Sequence, residues 1–268
     1  MFMRIRQFAI RMLAAALAAT PALADERDPE AILQAAFDAR FECAITGVIE
    51  IETRKGGDSA LKRRMDVAMK SIESRLYTYA IFREPQYVRG VAFLAIEPEV
   101  AGESEERFVY LPSMRKIRRV SGSQSDDAFL GTDLSYHDFE RQRGASYQVE
   151  LGREVQAGGE AAFVVTARPR RPASYAVVEH TIAAKDSAIL ETRYFKKDAP
   201  EPYKLLWMAR DGILEQGACR VPTRIRVEDR QRRTETTLSI SSLRLDTELS
   251  DDLFSMVSLE TRRPIPGL

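Results

Sequence analysis

The feature that most constrains this chain is its punctuation. Between Thr46 and Leu245 it breaks into about a dozen short segments rich in β-branched and aromatic residues, each bounded by a turn signal. Candidate strands cover 46–54, 61–71, 75–82, 89–96, 108–111, 115–120, 147–155, 161–167, 176–183, 190–195, 203–209, 223–229 and 234–245. Lys55-Gly56-Gly57-Asp58 reads as a turn, Pro85 as an interruption and Pro112-Ser113 as a tight connection. Several segments alternate strictly: Met65, Val67 and Met69 stand against Arg64, Asp66 and Lys70. Even spacing with period-two alternation predicts a mainly β, antiparallel sheet, sandwich or barrel in a single domain.

Ahead of the strands lies one amphipathic helix. Asp28 is placed to cap it, Pro29 suits the first helical position and Glu30 suits the positive end of the dipole. Ile32, Leu33, Ala36, Phe37 and Phe41 follow at helical spacing. A helix this short needs a surface to cover. At the other end, Ser250 to Phe254 reads as a short helical turn.

Residues 1–24 have the form of a cleaved export signal. Arg4, Arg6 and Arg11 precede the apolar run Met12 to Ala19, and Ala22-Leu23-Ala24 offers a cleavage site before Asp25. The run is shorter than the roughly 20 residues a bilayer core requires, which argues against an anchor. The domain is therefore expected to span 25–268, in the periplasm. Lys+Arg and Asp+Glu both number 40. That balance gives no pull on nucleic acid, and nothing in the sequence predicts an oligomer, so a monomer is expected. In an oxidising compartment Cys43 and Cys219 form a disulfide or stay as separate buried thiols; the sequence leaves both open.

A large twisted sheet curls, and its concave side is filled by its own side chains or by a lid and a ligand. The N-terminal helix is the available lid, through Ile32, Leu33 and Phe37. Met65, Val67, Met69, Phe93, Tyr110 and Trp207 are the candidates for the concave face, with Met suited to a ligand of variable shape. An ordinary apolar core explains the same pattern.

Two stretches carry more than composition. One runs from Phe108 to Val120 and holds Tyr110-Leu111-Pro112 and Arg118-Arg119. The other runs from Phe129 to Phe139 and holds Phe129, Gly131, Thr132, Asp133, Ser135, Tyr136 and Asp138. Pro85 and the segment Arg89 to Leu94 precede them; Tyr194, Lys204, Pro222, Thr223 and Asp252-Leu253-Phe254 follow more sparsely. Together they resemble the periplasmic outer-membrane lipoprotein-sorting protein family of the LolA/LolB-like superfamily. Leu130 and Leu134 stand where Met and Phe are common in that pattern, and His137 replaces an acidic position.

The resemblance implies an incomplete antiparallel β-barrel of about eleven strands curled over a helical lid. It implies a carrier of a lipid or an acylated protein, working with an outer-membrane acceptor or an inner-membrane RND-type exporter. An accessory or sensor protein with the same fold and no cargo is the alternative. On the residues alone, Gly131 supplies a positive φ and Asp133 caps a helical turn. Phe129, Tyr136 and Phe139 plug the loop into the core. Lys116, Arg118 and Arg119 pair with Asp126, Asp127, Asp133 or Asp138, or Arg118 and Arg119 hold an anionic headgroup or partner.

The two histidines, His137 and His180, fit no zinc motif, and there is no nucleophile elbow, phosphate loop or dinucleotide fingerprint. No enzyme, cofactor or metal site is expected, and His137 reads as a solvated loop residue.

Overall fold

A computed structural model describes residues 28–38, 44–56, 59–98, 105–120, 128–139, 142–217, 219–245 and 247–268. The expected export signal, its cleavage site, Phe41, Cys43, Asp126 and Asp127 lie outside the described residues, as does the side chain of Phe139.

Helix α1 (Pro29–Asp38) begins as its sequence dictates: the Asp28 carboxylate accepts from the Glu30 amide at 3.0 Å. Fifteen strands follow. They are β1 (Ile45–Lys55), β2 (Leu61–Ile72), β3 (Arg75–Glu84), β4 (Ala92–Pro98), β5 (Glu106–Leu111) and β6 (Lys116–Arg119). Next come β7 (Tyr147–Ala157), β8 (Glu160–Pro169), β9 (Val177–Ala183), β10 (Ile189–Phe195) and β11 (Lys204–Met208). The last are β12 (Ile213–Gln216), β13 (Cys219–Pro222), β14 (Arg224–Asp229) and β15 (Thr234–Leu245), followed by helix α2 (Met256–Thr261).

Thirteen strands form one antiparallel sheet in the order β6-β5-β4-β3-β2-β1-β15-β14-β11-β10-β9-β8-β7, and β12-β13 make a separate hairpin. The expected open barrel is present, with more strands than the eleven the resemblance implied. Most neighbours are joined by hairpins; the long-range pair is β1 with β15, which brings the two ends of the strand region together in the middle of the sheet. The sheet ends in β6 and β7. The first is four residues long with Lys116, Arg118 and Arg119 exposed, and the second exposes Gln148, Glu150, Arg153, Glu154 and Gln156, both of which discourage pairing with another chain.

Where the sequence reads a strand from Arg89, the sheet begins at Ala92. Gln86–Val88 forms a turn of 3-10 helix, and Gly90 sits at φ +79°, which ladder pairing does not allow. The hairpin β12-β13 and helix α2 went unread, because four-residue strands and a six-residue helix carry too little periodicity.

Each face of the sheet buries an apolar cluster. On the concave face α1 contributes Leu33, Ala36 and Phe37 to a core with Ile49, Ile51, Met65, Val67, Phe82, Val165, Val178, Leu206, Met208, Val227 and Leu238. On the convex face the C-terminal segment lays Leu249, Leu253, Phe254, Leu259 and Ile265 over Ala68, Tyr79, Ile81, Leu94 and Tyr110. The Tyr79 hydroxyl fastens that segment by donating to the carbonyls of Ser258 at 3.0 Å and Arg263 at 3.1 Å.

Candidate ligand-binding cavity

The concavity is not completely filled. A cavity of about 140 Å³ lies under α1, lined by Phe37, Ile49, Val67, Met69, Leu206 and Met208 among others. A second, of about 90 Å³, is lined by Met65, Phe82, Phe93, Phe129 and Tyr136. Ile49, Val67 and Met69 line both, so the two are neighbours on the same apolar face.

The helix closes this space through a close approach to β7's leading turn. The Gln34 side-chain oxygen accepts from the Gly144 amide at 2.8 Å. A Cβ on Gly144 would stand 3.1 Å from the Glu30 Cγ and carbonyl oxygen, so glycine favours this close seating of the helix. Phe37 reaches inward, edge-on to His180 at 5.6 Å and tilted against Tyr147 at 6.3 Å. His180 is itself buried, with Nδ1 2.9 Å from the Thr192 hydroxyl.

One end of the larger cavity is walled by a polar network. Leu134, His137, Asp138, Tyr175 and Tyr194 face the apolar space on one side and a polar pocket of about 270 Å³ on the other. The Asp138 carboxylate pairs with the Lys204 ammonium at 2.5 Å and accepts from the Ser135 amide at 2.7 Å and the Tyr194 hydroxyl at 3.0 Å. Burial pushes the Asp138 carboxyl up, but the Lys204 charge and these hydrogen bonds outweigh it and hold it below the usual carboxylate range. Burial, and next the Asp138 charge, push the Tyr194 phenol well up. His137 Nε2 lies 3.1 Å from the Tyr175 hydroxyl, and Gln142 donates to the His137 carbonyl at 2.9 Å. His137 is therefore a half-buried member of the wall, where the sequence suggested a solvated loop residue.

The motif loop is explained by what it fastens. Phe129 stacks near Phe82 at 6.2 Å and edge-on to Tyr136 at 5.3 Å. Gly131 has φ +77°, and the Thr132 hydroxyl donates to the Phe129 carbonyl at 2.7 Å. Asp133 does not cap a helical turn: it accepts from the Thr234 and Thr236 hydroxyls on β15, the latter at 2.8 Å, and lies 3.4 Å from Arg232. Of the partners anticipated for Lys116, Arg118 and Arg119, Asp126 and Asp127 lie outside the described residues, and the other two are engaged elsewhere. Asp133 is engaged by Arg232 and Asp138 by Lys204, while Arg119 lies 3.7 Å from Glu106 on the neighbouring strand. The local sequence proposed nearby cations, and the sheet instead delivered distant ones.

The other candidates divide between the two faces. Ile32 is half-buried against the concave core, Leu33 and Phe37 are buried in it, and Met65, Val67, Met69 and Phe93 line the cavities. Tyr110 and Trp207 do not. Tyr110 lies under the C-terminal segment with the Arg262 guanidinium 5.3 Å from its ring. Trp207 falls between the inward residues Leu206 and Met208, so it must point outward, where Arg226 stacks on it at 4.0 Å. Arg118 and Arg119 are exposed on β6 and line neither cavity; as successive strand residues they point to opposite faces. Cys219 is disulfide-bonded and buried with Ile45 and Val221, which ties the β12-β13 hairpin to the cavity's end, where Val221 and Pro222 form part of the lining. The inward row Leu206 and Met208, His180 and Thr192 was missed; strict alternation about Trp207 was the available signal. No group of three or more His, Cys, Asp or Glu placed to hold a metal occurs among the described residues, and none of their helices is long and apolar enough to cross a membrane.

A family model whose description is "Uncharacterized protein" matches residues 75–261. The fold is that of outer-membrane lipoprotein-sorting domains of the LolA superfamily. A putative outer membrane lipoprotein-sorting protein domain from Vibrio parahaemolyticus superposes with a TM-score of 0.77 at 18% identity, covering 87% of this chain and 98% of its own. A DUF1329 family protein from Desulfovibrio piger gives 0.75 at 23% identity, covering 87% and 99%. A LolA superfamily protein from Nitrosomonas europaea gives 0.64 at 20% identity, covering 86% and 99%. No curated protein matches the sequence.

Proposed function

Because this chain belongs to the family whose model it matches over residues 75–261, and its fold is that of lipoprotein-sorting domains, we propose that it is a carrier. It holds an acyl chain of a lipid or an acylated protein in the concavity beneath α1 and passes it towards the outer membrane. The carrying observation is the pair of adjacent apolar cavities closed by a helix seated through the Gln34–Gly144 hydrogen bond and its inward residues.

The volumes define how such a carrier must work. Ligand pockets are commonly roughly 300–1,000 Å³, and an apolar cavity of about 150 Å³ holds a molecule the size of benzene. Cavities of about 140 and 90 Å³ are too small for a whole acyl chain. On the carrier reading α1 sits in the closed position, and cargo enters as it withdraws and the methionines rearrange. In this reading the chain is exported, its leader is removed after Ala24, and it works in the periplasm as a monomer, without catalysis or a cofactor. An RND-type exporter or an outer-membrane acceptor is the membrane partner.

The same small volumes favour one second reading: an accessory or sensor protein of a membrane exporter, whose concavity is filled by its own side chains. Native mass spectrometry of protein purified gently from its own periplasm separates the two. A stoichiometric added mass that extracts as a lipid or acylated peptide supports the carrier. A clean unliganded mass with no uptake of acyl probes supports the accessory role.

A further inference from the structure

Arg63 is an anomaly in the concave face. Along β2 the side chains on that face are Met69, Val67, Met65 and then Arg63, at steps of two residues. Pairing with β1 is continuous over this stretch, with Met65 opposite Ile49 and Arg63 opposite Ile51, so the row keeps one face. Met69, Val67 and Met65 line the smaller cavity. The next position on the same face is a cation with 7% of its surface exposed.

Two of the three nitrogens of that cation have no acceptor among the described residues. Its Nε and Nη1 are buried without a hydrogen-bond partner, and it makes no ion pair among the described residues. Isolated buried charge is strongly unfavourable, and guanidinium remains charged at any ordinary pH, so the position is costly for the empty protein. Burial accordingly pulls the Arg63 pKa down, with the nearby Tyr87 phenol opposing the shift. The guanidinium lies beneath the motif loop: a Cβ on the exposed Gly131 would meet Arg63 Nη2 at 3.7 Å and nothing nearer.

We propose that Arg63, which stands one position beyond the smaller cavity's lining and lines the adjoining polar pocket with Glu50, Glu52 and Glu84, is the headgroup anchor of that cavity, and that the cargo is an anionic amphiphile. Its apolar chain lies on Met65, Val67 and Met69, and its carboxylate or phosphate accepts a forked pair of hydrogen bonds from the guanidinium. An ordered row of three apolar side chains ending in an unsatisfied cation matches a tail joined to an anion. Arg118 and Arg119 are too exposed, and Arg119 too engaged, to play this part. The inference rests on the carrier reading and specifies its ligand.

The test is a binding titration of the full mature protein with palmitate, hexadecanol and lysophosphatidic acid, repeated with Arg63→Met and Arg63→Lys, alongside thermal melts without ligand. The wild type should bind an anionic probe at least tenfold more tightly than the alcohol. The tighter of palmitate and lysophosphatidic acid identifies carboxylate or phosphate as the group held. Arg63→Met should erase the preference, leave the alcohol's affinity unchanged and raise the melting temperature of the empty protein. Arg63→Lys should keep part of the preference. Equal binding of alcohol and anion by the wild type, a preference that survives in Arg63→Met, or a lowered melting temperature in that variant would each overturn the anchor while leaving the carrier intact. Failure of the wild type to bind any of the three would overturn the carrier reading and the anchor with it.

Discussion

The Lys204 ammonium on β11 stands 2.5 Å from the carboxylate of Asp138, a residue of the motif loop 66 positions earlier, with both side chains nearly excluded from water. This pair joins the motif loop to the opposite half of the barrel and forms the polar end of the larger cavity. Removing one partner strands the other as a buried charge. Asp138→Asn or Lys204→Met should each cost about 3–5 kcal/mol, and the double variant less than the two together, in a denaturant-unfolding cycle. Simple additivity would show that the pair does not couple the two halves.

The same pair predicts an acid limb. Asp138 has a lowered folded-state pKa, so its contribution is fully present above the ordinary carboxylate value of 3.8 and is lost as pH falls below that value and through the lowered one. Stability measured from pH 6 to 2 should decline less steeply in Asp138→Asn than in the wild type. Parallel declines would refute the assignment.

How much of this was legible in the sequence follows from which surfaces are buried. The strands were readable because alternation survives wherever one residue in two meets water, as from Lys62 to Met65 on β2 and along the first half of β15. The assignment of inward and outward faces failed at Tyr110 and Trp207 for a physical reason. The C-terminal segment covers the convex face over β3 to β5, so apolar residues there point both ways and the contrast that marks an inside disappears. Trp207 is covered by the Arg226 guanidinium, an arrangement that leaves no apolar signature. The sequence showed Asp138 in its motif and Tyr194 and Lys204 as scattered matches downstream; only the sheet order, which sets β10 and β11 beside one another, brings them to a single point.

The convex cover has its own test. Tyr79→Phe deletes the hydroxyl that holds the Ser258 and Arg263 carbonyls, at an expected cost of about 1–3 kcal/mol for groups left unpaired in a buried site. Burial pushes the Tyr79 phenol up to about 12. A raised value means its contribution is complete below the ordinary 10.0 and is lost as pH climbs through about 12. Tyr79→Phe should therefore flatten the alkaline limb of the stability profile without altering cargo affinity, as followed by melts and acyl-probe titration. Weakened cargo binding would place the C-terminal segment in the ligand site.

If α1 is the lid, its seating is sensitive to the bare backbone at Gly144. Gly144→Ala puts a methyl 3.1 Å from Glu30, which shifts α1 outward by a few tenths of an ångström. Exchange of a bound fluorescent fatty acyl probe should accelerate several-fold while the β circular dichroism is unchanged, and Phe37→Glu should release the probe more completely. Unchanged exchange in both would remove α1 from the gating role.

The disulfide at Cys219 predicts a stability effect independent of cargo. The chain's other cysteine is Cys43, so a non-reducing peptide map should recover the two in one linked peptide. Cys219→Ser should cost about 2–5 kcal/mol. A free thiol at Cys219 in protein from the periplasm would contradict it.

The most direct measurement of the central claim is photocrosslinking with a fatty acid carrying a diazirine along its chain, followed by mapping of the modified residues. The account predicts adducts on the inward row, Val67, Met69, Leu206 and Met208, and on Phe37 of the lid. Adducts concentrated on Trp207, Tyr110 or the C-terminal segment, with the concave row unmodified, would contradict it.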